Sequence, residues 1–501
     1  MALTDLIPWS LLPTLTVLAT AWFVYILAYR LYLHPLAKVP GPKLAAVTHL
    51  YEFYYDGLKK GKFIFKVDEL HERYGPVVRI NPREVHISDP DFFDELYSGS
   101  RKLNKDWYYY RFVGTLDSSF GSTSFAVHRQ RRKAFNRFFS PAALQNLETS
   151  VCNCVVRLCE RLEAFRGTGK PVILGTCFRA LATDVISQYA LPQGFDLINS
   201  KDFGEDYNNV NRKFSGLTSY NRHFPFILPT VMATPTWLLR MTASPGMLQM
   251  LDFQGHNIAQ SKAIAESSKV KASDDSVLHG ICNSDLPASD KTATRIYQEA
   301  VTLVGAGSET TGSGLEHVVY HVLANPAIYT RLRNEIASAA SQGDLTSYET
   351  LRQLPYLDAV IKEGLRLGNE VCGRLARFDP TDAIRYGSYA FAPGVVVSMS
   401  PRDMHLDGRV HDAPHTFDPQ RWLDPARRER SERFFAPFGR GSRSCVGRDL
   451  AMLEMKMMIA YLLQRFELKI FDTQYADVRM EHDFFSPFHR DNSKGLQATL
   501  S

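Results

Sequence analysis

The most apolar stretch of the chain comes first. Residues 6–29, LIPWSLLPTLTVLATAWFVYILAY, hold no charged side chain, and 24 such positions are enough to cross a bilayer as a helix. A cleaved leader needs basic residues ahead of it and a small-residue cleavage site behind, whereas this segment has Asp5 ahead and Arg30 behind. The pattern therefore predicts an uncleaved, single-pass anchor over 6–29. Residues 1–5 are then lumenal, and Arg30, Lys38 and Lys43 put all that follows in the cytosol. Pro35, Pro40 and Pro42 next deny helix, which predicts a stiff, proline-rich extended connector over 30–45.

Further along, helical periodicity dominates. Thr292–Asn325 predicts one long helix, LPYLDAVIKEGLRL a helix beginning near Pro355, and the run after Cys445, GRDLAMLEMKMMIAYLLQRF, a third. TSVCNCVVRLCERLEAF predicts a helix whose Cys152, Cys154 and Cys159 are buried small side chains rather than a metal cluster. GRLAR reads as a strand. The most polar stretch, Glu266 to Arg295, predicts a loop rather than a domain boundary. With no repeats and no long linker, residues 46–501 are expected to form one large, mainly α domain with small β-sheets.

Composition narrows the choices only a little. The 58 basic and 53 acidic residues leave a net charge of +5, which gives no argument for a nucleic-acid partner. Seven cysteines, an odd number without regular spacing, point to a reducing compartment rather than a disulfide framework. No Asn-x-Ser/Thr sequon occurs, in keeping with a body that never faces a glycosylating lumen.

The chemistry gathers around FAPFGRGSRSCVGRDLA. Cys445 has no cysteine near it in sequence and stands just before a predicted helix start, where free N–H groups and the helix dipole favour a thiolate. Gly439, Gly441 and Gly447 permit close backbone approach, and Arg443 offers a guanidinium to a carboxylate. Such a thiolate suits a nucleophile, a redox sensor or an iron ligand. On the long helix, Gly305, Gly307, Gly312 and Gly314 together give up roughly 4 kcal/mol of helix propensity. That cost predicts a local bulge and the close approach of a planar cofactor. The helix also carries Glu309 beside Thr310, an acid next to a hydroxyl, as proton delivery requires. A phosphate loop is the alternative there, but no G-K-[ST] follows.

FGRGSRSCVG resembles the F-x-x-G-x-R-x-C-x-G signature of the cytochrome P450 superfamily, through Phe438, Gly441, Arg443, Cys445 and Gly447. AGSETT resembles the family's A/G-G-x-D/E-T-T pattern. Glu363 and Arg366 match its E-x-x-R pair, and Arg421 in FDPQRW the arginine that joins them. The resemblance implies the cytochrome P450 fold and a haem b whose iron takes Cys445 as axial thiolate, the thiolate pushing electron density onto the iron. It also implies propionate contacts from Arg132, Arg377 and Arg443, with Phe438 and Gly447 in the cysteine loop. His128 stands where the family usually has tryptophan, a departure that an imidazole N–H can serve equally by donating; an axial role for it is the lesser reading. Glu309 and Thr310 become the proton-guiding pair.

The resemblance further implies NADPH–cytochrome P450 reductase as electron donor, with cytochrome b5 as a second, and anchorage in the endoplasmic reticulum membrane. A basic proximal face supports this: residues 128–137 hold five cations and no acid, and 427–448 seven arginines against two acids. DWYYYRF, HFPFILPTVMATPTWLL and HDFFSPF are expected to surround the substrate, with Trp107, Tyr109, Phe226 and Phe485 as candidate contacts. The style of the connector and of HRQRRKAFNRFFSP is that of filamentous-fungal members, trichodiene-oxygenase-like in character. The expected activity is therefore NADPH- and O2-dependent hydroxylation or epoxidation of a lipophilic terpenoid or polyketide-derived metabolite. The alternatives are a desaturase, isomerase or ring-forming catalyst of the same family, or a non-catalytic haem sensor.

Overall fold

The computed structural model describes residues 12–266, 276–342, 345 and 347–501. The expected lumenal residues 1–5 and the first part of the expected anchor, 6–11, lie outside the described residues.

The apolar helix spans Leu12–Ala28 and continues without a break into a π-helical turn, Tyr29–Leu33. It is thus longer at its C-terminal end than the charge pattern predicts, giving a 21-residue, predominantly apolar stretch, Pro13–Leu33, with no buried residue in its most apolar window. Arg30 does not end it, because a cation suits the C-terminal end of a helix dipole and this guanidinium bonds to the carbonyl of Val47. The connector is correspondingly shorter than predicted. Lys43–Val47 is already helical, with Pro42 as its N-cap residue, and the Pro40 carbonyl accepts a 2.8 Å bond from the Arg79 N–H. Proline is tolerated at a helix start, where its missing N–H has no partner in any case.

The helical body is organised around Ala293–Ala324, a 32-residue helix capped by the Thr292 side chain. It packs against Leu174–Ala190, Pro245–Glu266, Pro355–Gly368 and Arg448–Arg465. Leu174–Ala190 is buried nearly all round, which its small and aliphatic sequence (LGTCFRALATDVISQYA) permits. The expected bulge in the central helix is not found; it is continuous α-helix. Three of its glycines are instead packing devices. A Cβ on Gly307 would come 2.8 Å from Ile186, on Gly312 2.5 Å from Arg179, and on Gly314 2.6 Å from Met455. Only at Gly305 does the space beyond the helix lie open.

The largest sheet has five short strands in the order Val77–Asn81, Glu84–Ile87, Val396–Ser398, Arg377–Phe378, Asn104–Lys105. The second and third run parallel and the rest antiparallel. A hairpin, His482–Phe484 with Ser486–Phe488, turns at Phe485. There φ is +77°, a left-handed conformation unusual for a bulky residue. The polar stretch 266–295 is not simply a loop: Val277–Cys282 forms a buried helix and Ala288–Asp290 a 3-10 turn, while 267–275 lie outside the described residues. HFPFILPTVMATPTWLL likewise holds two helices, Ile227–Ala233 and Thr236–Thr242, despite its prolines.

Candidate active site

Cys445 sits in the turn between a 3-10 segment, Gly441–Arg443, and the helix Arg448–Arg465. Its N–H donates to the Phe438 carbonyl at 2.8 Å, and the Ser444 N–H to that of Gly441 at 3.1 Å. Gly441 has φ +67°, and a Cβ there would stand 2.2 Å from the Tyr97 carbonyl, so this position admits no side chain. Burial pushes the Cys445 thiol up; the Gly447 N–H on the sulfur and the charges of Arg132 and Arg448 pull the other way. Yet the side chain is accessible to solvent. The sulfur thus has open space beside it. The central helix shows the same signature, with Gly305 and Ala306 exposed between buried Val304 and Ser308.

Beside this loop lies a group of cations that form no ion pair with a carboxylate among the described residues. Arg443 donates to the carbonyls of Ser122 (2.8 Å) and Thr123 (2.9 Å), and its Nε has no partner. Arg377 donates to the Tyr110 hydroxyl (2.6 Å) and the Ala376 carbonyl. Arg132, on the helix Phe125–Phe135, bonds to Asn136 and to the Ser444 carbonyl at 3.1 Å. His128, one turn earlier on that helix, is buried with Nδ1 unpartnered.

The fifth member, Lys105, was not foreseen. It pairs with Arg377 directly across two antiparallel strands, a register no linear pattern shows. Its ammonium lies 3.6 Å from the Phe120 ring centre and donates to the Phe120 carbonyl. Burial, then Arg377 and Arg443, hold Lys105 well below the usual lysine range. Burial and Arg377 bring Arg443 down to about 9; burial and the four neighbouring cations take His128 to about 3. Like charges facing each other across strands are destabilising, and a buried charge is retained only with a counter-charge. Every bond these cations make ends on a neutral oxygen, so the donor set fits a flat ligand carrying two carboxylates along one edge. Haem, with its propionates, has that shape and charge, and Cys445 is the soft side chain beside the group that could supply a thiolate ligand.

On the other side, Thr310 donates its hydroxyl to the Ala306 carbonyl at 2.7 Å, next to the exposed part of the helix. Glu309 does not reach toward Thr310. Its carboxylate is held by Arg179 through Nε (3.1 and 3.0 Å) and Nη2 (2.9 Å), while Arg179 Nη1 binds Glu316 at 2.8 Å. Burial pushes Glu316 up, but Arg179, His489 and the Leu496 N–H bring it down to about 2. Behind Arg179 lies a polar pocket of about 250 Å³ lined by Glu205, Asn208, Arg212 and Lys494 among others. Arg179 is thus a second residue that sequence reasoning missed; its helix reads as ordinary core.

The E-x-x-R pair is buried. Arg366 makes two bonds to Glu363 (2.9 and 2.8 Å), and Arg421 and the Trp422 indole N–H also reach that carboxylate, at 3.4 and 3.0 Å. Arg366 also binds the His405 carbonyl, and His405 Nε2 in turn accepts the Ala436 N–H at 3.0 Å. The triad therefore props the start of the cysteine loop.

Two expectations need correction. Trp107 is 51% exposed, under the guanidinium groups of Arg83 and Arg111, and Phe226 is 65% exposed. Tyr109 is buried, but under the guanidinium groups of Arg222 and Arg374. Phe485 packs on Phe112 and Phe120 in an aromatic wall. The basic face is also less bare than its sequence suggests. Arg427, Arg433, Arg440 and Arg448 pair with Asp418, Asp91, Asp94 and Asp449, and Arg131 with Asp290. Arg129, Lys133 and Arg137 remain exposed.

The cytochrome P450 family model matches residues 40–487, and the chain belongs to that family of haem-thiolate monooxygenases. It is 35% identical over 501 residues to the N-acetyltryptophan 6-hydroxylase of Emericella nidulans, covering 98% of this chain and 97% of the relative. It is 36% identical over 480 residues to the tryptophan 6-hydroxylase of Fusarium equiseti (94% and 93%), and 33% over 513 residues to the fusicoccadiene C-8 hydroxylase of Alternaria brassicicola (98% and 96%). Its relatives are monooxygenases of fungal secondary metabolism.

Proposed function

We propose that this chain hydroxylates or epoxidises a lipophilic secondary metabolite of terpenoid or polyketide origin, with Cys445 as the residue that would hold the haem iron and His128, Arg132, Arg377, Arg443 and the newly found Lys105 as those that would hold its propionates. The observation that carries the reading is the buried cation group beside a lone accessible thiol, a donor set that the chain itself leaves without a counter-charge. When bound, the haem supplies activation of dioxygen at the cost of two electrons from NADPH through a reductase. The chain's own residues do the rest. The Gly447 N–H stabilises negative charge on the Cys445 sulfur. Thr310 Oγ1, held by the Ala306 carbonyl, is positioned to pass a proton from the helix toward the accessible face. Glu309 becomes its proton source on leaving Arg179. Glu316 is the fixed partner, because it also accepts the Leu496 N–H at 2.8 Å. The polar pocket behind Arg179 gives water a way to recharge the pair.

Anchorage in the endoplasmic reticulum by Pro13–Leu33, and docking of an acidic reductase on Arg129, Lys133 and Arg137, belong to the same reading. An apolar substrate is preferred over an indole amino acid. The cations behind the aromatic wall, Arg222 and Arg374, are committed to Glu52, Asp56 and Glu84, leaving none there for a substrate carboxylate. The test is titration of microsomal protein with sesquiterpenes, diterpenes, polyketides, tryptophan and N-acetyltryptophan, read at the haem Soret band. A saturable high-spin shift with terpenes or polyketides is expected. A shift with the tryptophans alone overturns the substrate class, and the absence of any thiolate-haem spectrum overturns the site.

A further inference from the structure

We propose that the pocket where the apolar helix meets the catalytic body binds the phosphate of an anionic membrane phospholipid. This rests on the reading of Pro13–Leu33 as an anchor. The pocket has a volume of about 310 Å³ and lies between the end of that helix, the connector and the edge of the five-stranded sheet, with Tyr32, Lys38, Lys43, Tyr74 and Arg79 among its lining residues. Three of the lining residues are cations and none is an acid.

Arg79 carries the argument. It is 2% exposed, and its bonds go to the carbonyls of Arg30 (2.8 Å), Leu36 (3.4 Å) and Pro82 (2.8 Å), with Nε unpartnered. Among the described residues no carboxylate pairs with it. Burial and the nearby Arg30 lower it only to about 10, so the guanidinium stays protonated at neutral pH. Arg30 itself is spent on a carbonyl. Such a cluster has the electrostatics of a phosphate site. The wall is also firmly placed: a Cβ on Gly41 would stand 2.5 Å from the Arg79 carbonyl, so the connector lies directly on the strand.

Position identifies the phosphate as a lipid's. A 21-residue helix rises about 31 Å, the thickness of a bilayer's hydrocarbon core, which sets the pocket at headgroup depth. Beside it Tyr32, Leu33 and Leu44 are 76%, 71% and 58% exposed, an apolar rim for acyl chains. Three cations and no acid favour an anionic headgroup over a choline, whose ammonium they would repel.

The test uses full-length haem-loaded protein in neutral detergent and calorimetric titration with three soluble probes: dihexanoyl phosphatidate, dihexanoyl phosphatidylcholine and inorganic phosphate. Saturable phosphatidate binding is expected, with none by phosphatidylcholine. Lys38→Ala and Lys43→Ala, both at exposed side chains and therefore safe for folding, should each weaken it roughly fivefold, and the pair roughly twenty- to thirty-fold. Equal affinity for inorganic phosphate assigns the pocket to a free anion and overturns the lipid reading. So does phosphatidate binding that the double variant leaves unchanged, or no saturable binding. Flotation with neutral phosphatidylcholine vesicles tests the anchor separately. Protein that floats but binds no phosphatidate loses only the pocket, and protein that does not float loses the anchor.

Discussion

Two groups of buried charge stand on either side of the cysteine loop, and they are built on opposite principles. Around Glu363, one carboxylate meets two guanidinium groups, an indole N–H and the Asp418 N–H, and the guanidinium charge left over is spread across the carbonyls of His405, Pro414, Thr416 and Asp412. Around Arg443, four cations and a histidine bond to no carboxylate among the described residues. The first group has its carboxylate fully engaged as folded, with only Arg421 Nη2 left without a partner among the described residues, and it holds the loop in place. The second is complete only with a ligand. A buried ion cluster that the chain satisfies marks scaffold, and one that it leaves unsatisfied marks a site.

Removing one member from each group should therefore have opposite consequences for the protein without haem. Glu363→Gln leaves Arg366 and Arg421 buried beside a neutral amide, and breaking a buried pair in this way costs about 3–5 kcal/mol. Thermal unfolding of both the haem-free and the haem-loaded protein should fall steeply, with most of the chain failing to accumulate in membranes. Unfolding temperatures within a degree or two of the parent would show that the triad is not scaffold.

Lys105→Met is the counter-experiment. It removes a cation from a group repelled by its own members and keeps the aliphatic stem against Phe120 and Tyr110. The haem-free protein should be as stable as the parent or more so. Haem retention should weaken by roughly ten- to thirty-fold, the worth of one charge-assisted hydrogen bond of about 1.5–2 kcal/mol. Measured as the rate of haem transfer to an excess of apomyoglobin, an unchanged loss rate would remove Lys105 from the cradle.

The contrast between these two groups also decides what linear sequence reveals. Glu363 and Arg366 are three positions apart on one helix, and Arg443 and Cys445 two apart in one loop, so motif spacing exposes them. Lys105 meets Arg377 across 272 residues only through strand register, and Arg179 meets Glu309 across 130 through helix crossing. Neither has a local signature. The central glycines show the reverse failure: their cost in helix propensity is legible, but its compensation lies in Ile186, Arg179 and Met455 on other helices. Trp107 and Phe226 show a related gap, since aromatic enrichment says nothing of how far a ring is buried.

A third cluster, Glu309–Arg179–Glu316, sits between the two types, with one acid more than the guanidinium at its centre. Glu316 has Arg179 and a backbone donor, whereas Glu309 depends on Arg179 alone, so Glu309 is the acid free to move. Glu309→Gln should reduce product formation by roughly ten- to one-hundred-fold while leaving the substrate-induced Soret shift intact, and should enlarge the solvent deuterium isotope effect. Glu316→Gln should act mainly on stability. If instead both variants lose activity alike with no change in the isotope effect, the cluster is scaffold like the Glu363 group.

The smallest effect falls on His128, and it distinguishes the two principles through pH. In the haem-free protein its folded pKa is depressed to about 3 by burial and by the charges of Arg443, Lys105, Arg132 and Arg377, against an ordinary value of 6.5. A depressed folded pKa means that the unfolded chain takes up the proton first. Stability owed to neutral His128 is thus fully present above pH 6.5 and is lost progressively as pH falls from there toward 3. His128→Gln cannot be protonated, so the parent and variant melting curves of the haem-free protein should draw together as pH falls through 6 and 5. Propionates supply the missing negative charge, raise the folded pKa of His128 back toward its ordinary value and so flatten that convergence in the haem-loaded protein. The same pH-dependent difference in both forms would mean that the carboxylates of the ligand lie elsewhere and that the depressed histidine is a consequence of burial alone.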